Sequence, residues 1–220
     1  MFRGDVTTPR GRAAAWLDSF LLDHACFRVA WHNFAVVIPG KLYRGNHPTP
    51  GQLARLTRRY GLCTLVNLRG RRPCGSDALS RDAAARLGLD HIDMAFESRG
   101  APHRERILRF HAIYAAMRFP ALLHCKSGAD RAGLAAGLAI LFEGGTAAAA
   151  LGQLSPCYFH FRRSSTGVLD AFFIHYAGVA EGRKPFLDWV RDDYDEAALR
   201  ATFQASGLAS FITDRLLARE

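Results

Sequence analysis

Cys125 and Arg131 stand at the two ends of a short polar loop, His124-Cys125-Lys126-Ser127-Gly128-Ala129-Asp130-Arg131, with five residues between the thiol and the guanidinium. A thiol attacks as its thiolate, and thiols at helix N-termini beside cationic groups ionise near neutral pH. A guanidinium presents a planar fork that matches two oxygens of a tetrahedral oxyanion, where a lysine offers only a point charge. Gly128 lets the backbone curl with no Cβ in the way, so successive amides can turn inward as a nest around an anion. A nucleophile beneath an anion cradle is the chemistry these residues point to. The competing reading is a chance Cys and Arg in a buried strand and helix, with Cys125 a small buried hydrophobe, as most free cysteines are.

The flanking residues say how the loop is held. Pro120-Ala-Leu-Leu predicts a short buried strand ahead of it, and Arg131 to Phe142 predicts an apolar helix after it. The first amides of a helix lack partners within it and the helix dipole is positive there, so the junction suits an anion. Upstream, apolar spacing over Ala13 to Cys26 predicts an amphipathic helix through Ala14, Trp16, Leu17, Phe20 and Leu21, after a frayed segment 1–12. Phe34 to Arg44 predicts two short strands broken at the turn Pro39-Gly40. Then come a helix at Gln52 to Tyr60 closed by Gly61, a strand at Cys63 to Arg69, a helix at Asp77 to Leu87, a strand at Asp90 to Phe96 and a helix at Arg104 to Met117. This alternation predicts an α/β fold, a mostly parallel central sheet flanked by helices. Ligands in such sheets bind beyond the carboxyl ends of the strands, where the signature loop falls. From Gly145 onward the chain reads as helical, over Thr146 to Leu154, Thr166 to Ala180, Pro185 to Arg191 and two later segments. With no repeat or linker, residues 1–220 are expected to form one domain, a core at 30–145 and a helical C-terminal extension at 146–220.

A net charge of +9 favours anionic partners, but the basic residues are scattered and no nucleic-acid motif appears, so nucleic acid is not expected as a partner. The five cysteines are odd in number, form no CxxC pair and do not alternate with histidines at metal-ligand spacing. Free thiols, no metal and no cofactor are therefore expected. The longest apolar run, Ala132 to Phe142, is too short to span a bilayer, and no export signal is seen. Cytoplasm is the expected location.

His124-Cys125-x5-Arg131 resembles the signature loop of the cysteine-based protein tyrosine and dual-specificity phosphatases. Leu42-Tyr-Arg-Gly-Asn-His-Pro-Thr-Pro-Gly-Gln-Leu53 followed by Leu65-Val-Asn-Leu-Arg69 also resembles the opening of atypical, bacterial-type members, so the likeness covers about residues 40–145. The resemblance implies a dual-specificity-phosphatase-like fold and a metal-independent phosphatase acting through a phosphocysteine on Cys125. Lys126, Ser127, Gly128, Ala129, Asp130 and Arg131 would bind the phosphate. His124 would support the loop from behind. The substrate would be a phosphorylated protein, or a phosphorylated small molecule or lipid head group. Arg99, His103, Arg162 and Arg163 would form a basic rim if the fold gathers them.

The family takes its general acid, an Asp, from a loop about thirty residues ahead of the cysteine. Asp93 lies 32 residues upstream and Glu97 lies 28 upstream. A third candidate is inside the loop: Cys125-x-x-Gly128-x-Asp130-Arg131 is similar to the loop of myotubularin-type phosphoinositide phosphatases, where an acid beside the arginine can reach the leaving oxygen. Asp130 is slightly favoured over Asp93, against a plain bracing role. The family's Ser or Thr after the arginine, which eases departure of the cysteine, is Ala132 here. A slow or inactive pseudophosphatase that binds phosphorylated ligands is thus the alternative. Rhodanese-like sulfur transfer is a rival that the longer loop disfavours.

Overall fold

The protein's structure, a computed structural model, describes residues 5–21, 32–97 and 99–204. Five strands, β1 (Ala35–Ile38), β2 (Leu42–Gly45), β3 (Thr64–Asn67), β4 (Asp90–Asp93) and β5 (Ala121–His124), form one sheet in the order β1-β2-β5-β3-β4. All neighbours run parallel except the edge hairpin β1–β2. The expected mostly parallel α/β sheet is what forms.

The two-residue period of the strands sends alternate side chains to opposite faces. Leu42, Val66, Ala121 and Leu123 face one core, and Tyr43, Leu65 and Leu122 face the other. α2 (Pro50–Tyr60) and α3 (Gly75–Arg86) cover the second face, through Leu53, Ala83 and Ala84. α4 (Arg104–Ala116) and α5 (Asp130–Phe142) cover the first, followed by α6 (Ala147–Leu151), α7 (Val168–Val179) and α8 (Phe186–Asp192). The apolar α5 is buried nearly all round, because the sheet lies on one side and the C-terminal helices on the other. Among the described residues no helix is long and apolar enough to cross a membrane.

Register places Gly45 and Asn67 on either side of His124. The loops leaving β2, β3 and β5 therefore start level at the carboxyl edge, beside Cys125.

Several expected boundaries shift, each for a local reason. Helix α1 (Pro9–Leu21) begins earlier than expected, since Pro suits a first helical turn; residues 22–26 of the expected helix and Cys26 lie outside the described residues. Its apolar stripe does not supply the contact: Leu17, Phe20 and Leu21 remain exposed while Ala15 and Ser19 are buried. Polar bonds dock it instead. The Gly75 amide donates to Asp18 at 2.6 Å, the Ser19 and Ser76 hydroxyls meet at 2.7 Å, and Arg12 pairs with Asp82 at 2.7 Å. β4 ends at Asp93 rather than Phe96, although the Met94 and Phe96 amides still reach the Asn67 and Leu68 carbonyls. In the extension, the expected helix at 146–154 shortens to α6, capped by the Thr146 hydroxyl, and the next begins with a 3-10 turn at Ser165–Gly167. A further helix occupies 196–204; the last expected segment lies outside the described residues.

The extension shares the main core. Phe172 is fully buried and its ring lies 5.0 to 6.1 Å from those of Phe173, Phe186, Trp189 and Tyr194. Phe172→Ala is expected to cost about 3–5 kcal/mol, read as a lowered denaturant midpoint; a loss below about 1 kcal/mol would show that the extension's packing contributes little.

Candidate active site

Cys125 follows directly on β5 and is almost fully buried at the base of the loop. The loop then rises into the N-terminus of α5, whose first-turn amides, at Asp130 and Arg131, have no acceptor among the described residues. The Gly128 N–H donates to Cys125 Sγ at 3.2 Å. Gly128 is required there twice over. Its φ is +77°, and a Cβ would stand 2.6 Å from the Asn46 nitrogen and 2.7 Å from the Gly45 carbonyl carbon.

What bends the loop is Arg44, a residue the sequence reading passed over. It lies in β2 with none of its surface exposed. Its guanidinium donates to the Gly128 and Ala129 carbonyls at 2.6 and 3.0 Å, and to the Gln153 carbonyl at 2.5 Å. The Tyr158 ring covers it, 4.2 Å from Cζ to the centroid. In a planar trans peptide the C=O and the following N–H point opposite ways. By drawing two carbonyls to itself, Arg44 turns the amides of Ala129 and Asp130 the opposite way, and the Ala129 amide meets the Ser127 hydroxyl at 3.4 Å. Burial lowers the Arg44 pKa to about 10, with the Cys125 thiol, Tyr158, Cys157 and Asp130 acting the other way, so the guanidinium stays charged at neutral pH. Nothing in the residues around Arg44 signals this role, because its partners lie 84 to 109 residues away.

His124 sits behind the loop, wholly buried, with neither ring nitrogen bonded among the described residues. Burial first, then the neighbouring His47, His91 and Arg69, hold its pKa well below the ordinary value, so the ring is neutral. It meets the His47 ring edge-on at 4.6 Å. Asn33 fastens the loop from another side, its amide donating to the Ser127 and Tyr158 carbonyls at 3.1 and 2.9 Å.

The three carboxylates are placed very differently. Both Asp93 oxygens are held by Arg81 Nη2 at 2.8 and 2.7 Å, and Asn67 Nδ2 lies 3.0 Å from one of them. Arg81 also binds Asp77, so Asp93 belongs to an ion-pair network at the end of β4. Glu97 is paired with Arg106 and approached by His103 at 3.6 Å. Asp130 alone stands inside the loop, beside Arg131. One of its oxygens binds His160 Nδ1 at 2.8 Å, and the other ring nitrogen of His160 binds Asp170 at 2.6 Å. Neither His160 nor Asp170 carried any motif in the sequence.

Arg131 is half-buried and makes no side-chain hydrogen bond or ion pair among the described residues. Of the expected rim, Arg99, Arg162 and Arg163 are exposed, while His103 is engaged by Glu97 and Glu196. Cys63, Cys74, Cys125 and Cys157 are free thiols. No cluster of three His, Cys, Asp or Glu among the described residues is arranged to hold a metal ion.

No protein-family model matches the chain, and no curated protein matches it in sequence. Solved structures match it in shape. The catalytic core of Siw14, from S. cerevisiae, superimposes with a TM-score of 0.52 at 14% identity, over 69% of this chain and 88% of that one. A DUF442 protein from Shewanella putrefaciens CN-32 gives 0.51 at 16%, over 66% and 89%. At such identities the likeness is one of fold. The chain has the cysteine-phosphatase fold, with the loop at the carboxyl edge of its sheet.

The His160 contacts also carry a pH signature. Burial opposes the charged ring, but hydrogen bonds to Asp130 and Asp170, and their charges, outweigh it and raise the pKa from 6.5 to about 9. A raised histidine pKa stabilises the fold fully below the unfolded value and ceases to do so as pH rises through the folded value. Stability is therefore expected to fall between pH 6.5 and about 9, by about 3 kcal/mol at most. Urea unfolding across that range should show the decline in the wild type and not in His160→Gln.

Proposed function

We propose that the chain is a phosphatase that hydrolyses phosphate monoesters through a phosphocysteine on Cys125. The observation that carries the reading is the Gly128 amide aimed at Cys125 Sγ at 3.2 Å, in a loop that opens the first turn of α5. Amides directed at the sulfur also suit the equatorial oxygens of a phosphoryl group above it.

In the first step the Cys125 thiolate attacks phosphorus and the ester oxygen leaves. In the second, water attacks phosphorus and the thiolate departs. Phosphoryl transfer asks for positioning and charge stabilisation more than covalent chemistry. Lys126, Ser127, Gly128, Ala129, Asp130 and Arg131 supply amides, and the unpaired Arg131 fork binds two phosphate oxygens. The scheme uses no metal.

Asp130 is the general acid in this reading. Asp93 has both oxygens in ion pairs and Glu97 is tied to Arg106, whereas Asp130 keeps an oxygen free of any hydrogen bond among the described residues and its side chain is 26% exposed. The substrate is a phosphorylated protein, or a phosphorylated small molecule or lipid head group, met in a reducing cytoplasm. Two exposed arginines, Arg162 and Arg163, and a net charge of +9 favour a multiply anionic one.

A binding-only pseudophosphatase is favoured by one observation. Ala132, fully buried where a hydroxyl would ease thiolate departure, offers no such donor. Steady-state hydrolysis of p-nitrophenyl phosphate under reducing conditions separates the readings. Turnover by the wild type that is lost in Cys125→Ser is expected; tight vanadate binding with no turnover would instead establish the binding-only protein. Asp130→Asn is expected to slow phenyl phosphate by on the order of 10²-fold, far more than it slows p-nitrophenyl phosphate; equal losses would return the acid to Asp93 or Glu97.

A further inference from the structure

The segment between α6 and α7 reaches the signature loop at several points at once. Gln153 receives Arg44, the Tyr158 ring covers the same guanidinium, the Tyr158 carbonyl shares the Asn33 amide with Ser127, and His160 binds Asp130. His160 is 1% exposed, and Asp170, at the start of α7, is buried with it. The imidazole is thus held from both sides, by Asp130 at the start of α5 and by Asp170 at the start of α7.

Each ring nitrogen faces a carboxylate oxygen at hydrogen-bond distance, so two protons lie along the path from Asp130 to Asp170. They can be arranged in two ways with the same single negative net charge. In one, an imidazolium donates to two carboxylates. In the other, a neutral imidazole donates through Nε2 to Asp170 and accepts at Nδ1 from a protonated Asp130. A phosphate dianion bound beside Asp130 favours the second, because a like charge nearby disfavours a carboxylate.

We propose that His160, held by Asp170, is the positioning residue for the general acid: it orients Asp130 and supplies the proton that Asp130 passes to the leaving group. The inference rests on the phosphatase reading above. As the S–P bond forms and the P–O bond breaks, the electron pair leaves on oxygen, which takes the proton from Asp130. The Asp130 carboxylate then faces the Nδ1 lone pair of a neutral His160, an arrangement one proton short and therefore a strong base. When water attacks phosphorus, its proton goes to Asp130, the S–P bond breaks, and the electron pair returns to Cys125 as thiolate. The sum is ester plus water giving alcohol plus phosphate, with the set restored to its starting protonation.

The charged groups acting on the ring are Asp130 from α5 and Asp170 from α7; Arg44 from β2 is a further charge, acting on Asp130. With its pKa raised to about 9, the set holds both protons through neutral pH. A lone aspartic acid would have lost its proton above about pH 4. The extension accordingly supplies, on His160, a proton that is retained at neutral pH and lies one hydrogen bond from Asp130.

The test compares p-nitrophenyl phosphate with phenyl phosphate between about pH 5 and 10, in the wild type, His160→Gln and Asp170→Asn. The wild type is expected to hydrolyse both, with phenyl phosphate turnover falling near pH 9. In His160→Gln the loss on phenyl phosphate is expected to exceed that on p-nitrophenyl phosphate by roughly tenfold or more, with the fall displaced below neutral pH, and Asp170→Asn is expected to move in the same direction. Equal losses on the two esters with the alkaline fall unmoved would overturn the inference alone. Should His160→Gln not fold, Asp170→Asn and the wild-type profile decide, and a wild-type profile for phenyl phosphate that stays flat beyond pH 9 overturns it. A wild type that hydrolyses neither ester overturns the phosphatase reading, and this inference with it.

Discussion

A guanidinium with no exposed surface lies under the signature loop, and most of the site depends on how its charge is accommodated. Removing a cation from water costs several kcal/mol unless its donors are met. Among the described residues no carboxylate pairs with Arg44. Backbone carbonyls of Gly128, Ala129 and Gln153 and the face of Tyr158 do so instead. The loop can satisfy that demand only by turning two carbonyls downward, which turns the opposite ends of the same peptides outward as donors. An energetic requirement of the interior thus orients the donors on which the proposed phosphate site relies. Gly128 is the point where the backbone must bend for this, at a positive φ and where a Cβ would come within 3 Å of Gly45 and Asn46.

The same side of the molecule carries the contacts of His160 with Asp130 and Asp170. Arg44 and His160 both draw on the segment after α6, so the extension braces the loop and sets the charge state next to it. This explains why the extension is built into the principal core through Phe172, Trp189 and Tyr194 rather than laid over it. A side chain that fixes a carboxylate within a few tenths of an ångström needs a rigid support. Asp93, at the position where a likeness in spacing suggested an acid, is committed to Arg81 and Asn67 and helps tie α3 to the sheet edge.

Much of this was legible in the chain itself. The strands were readable because β3 and β5 are buried on both faces and so appear as continuous apolar runs. The placement of Cys125, Gly128 and Arg131 between β5 and α5 was readable because it follows from residue type and apolar runs at fixed local spacing. Arg44, His160 and Asp170 were not, because their contacts span 10 to 109 residues of sequence and nothing near them in the chain announces their partners. Helix α1 misled for a related reason. Its apolar residues have helical spacing, yet the docking runs through Asp18, Ser19 and Arg12, whose partners lie in α3.

The central claim is that Cys125 becomes covalently phosphorylated. Rapid acid quench of the wild type with an aryl phosphate, followed by mass spectrometry of the peptide carrying Cys125, tests it directly. With Ala132 in place of a hydroxyl donor, the intermediate should break down slowly and accumulate, so a phosphoryl adduct on Cys125 is predicted early in turnover and none in Cys125→Ser. Release of phosphate by the wild type with no adduct on Cys125 at any quench time would contradict it.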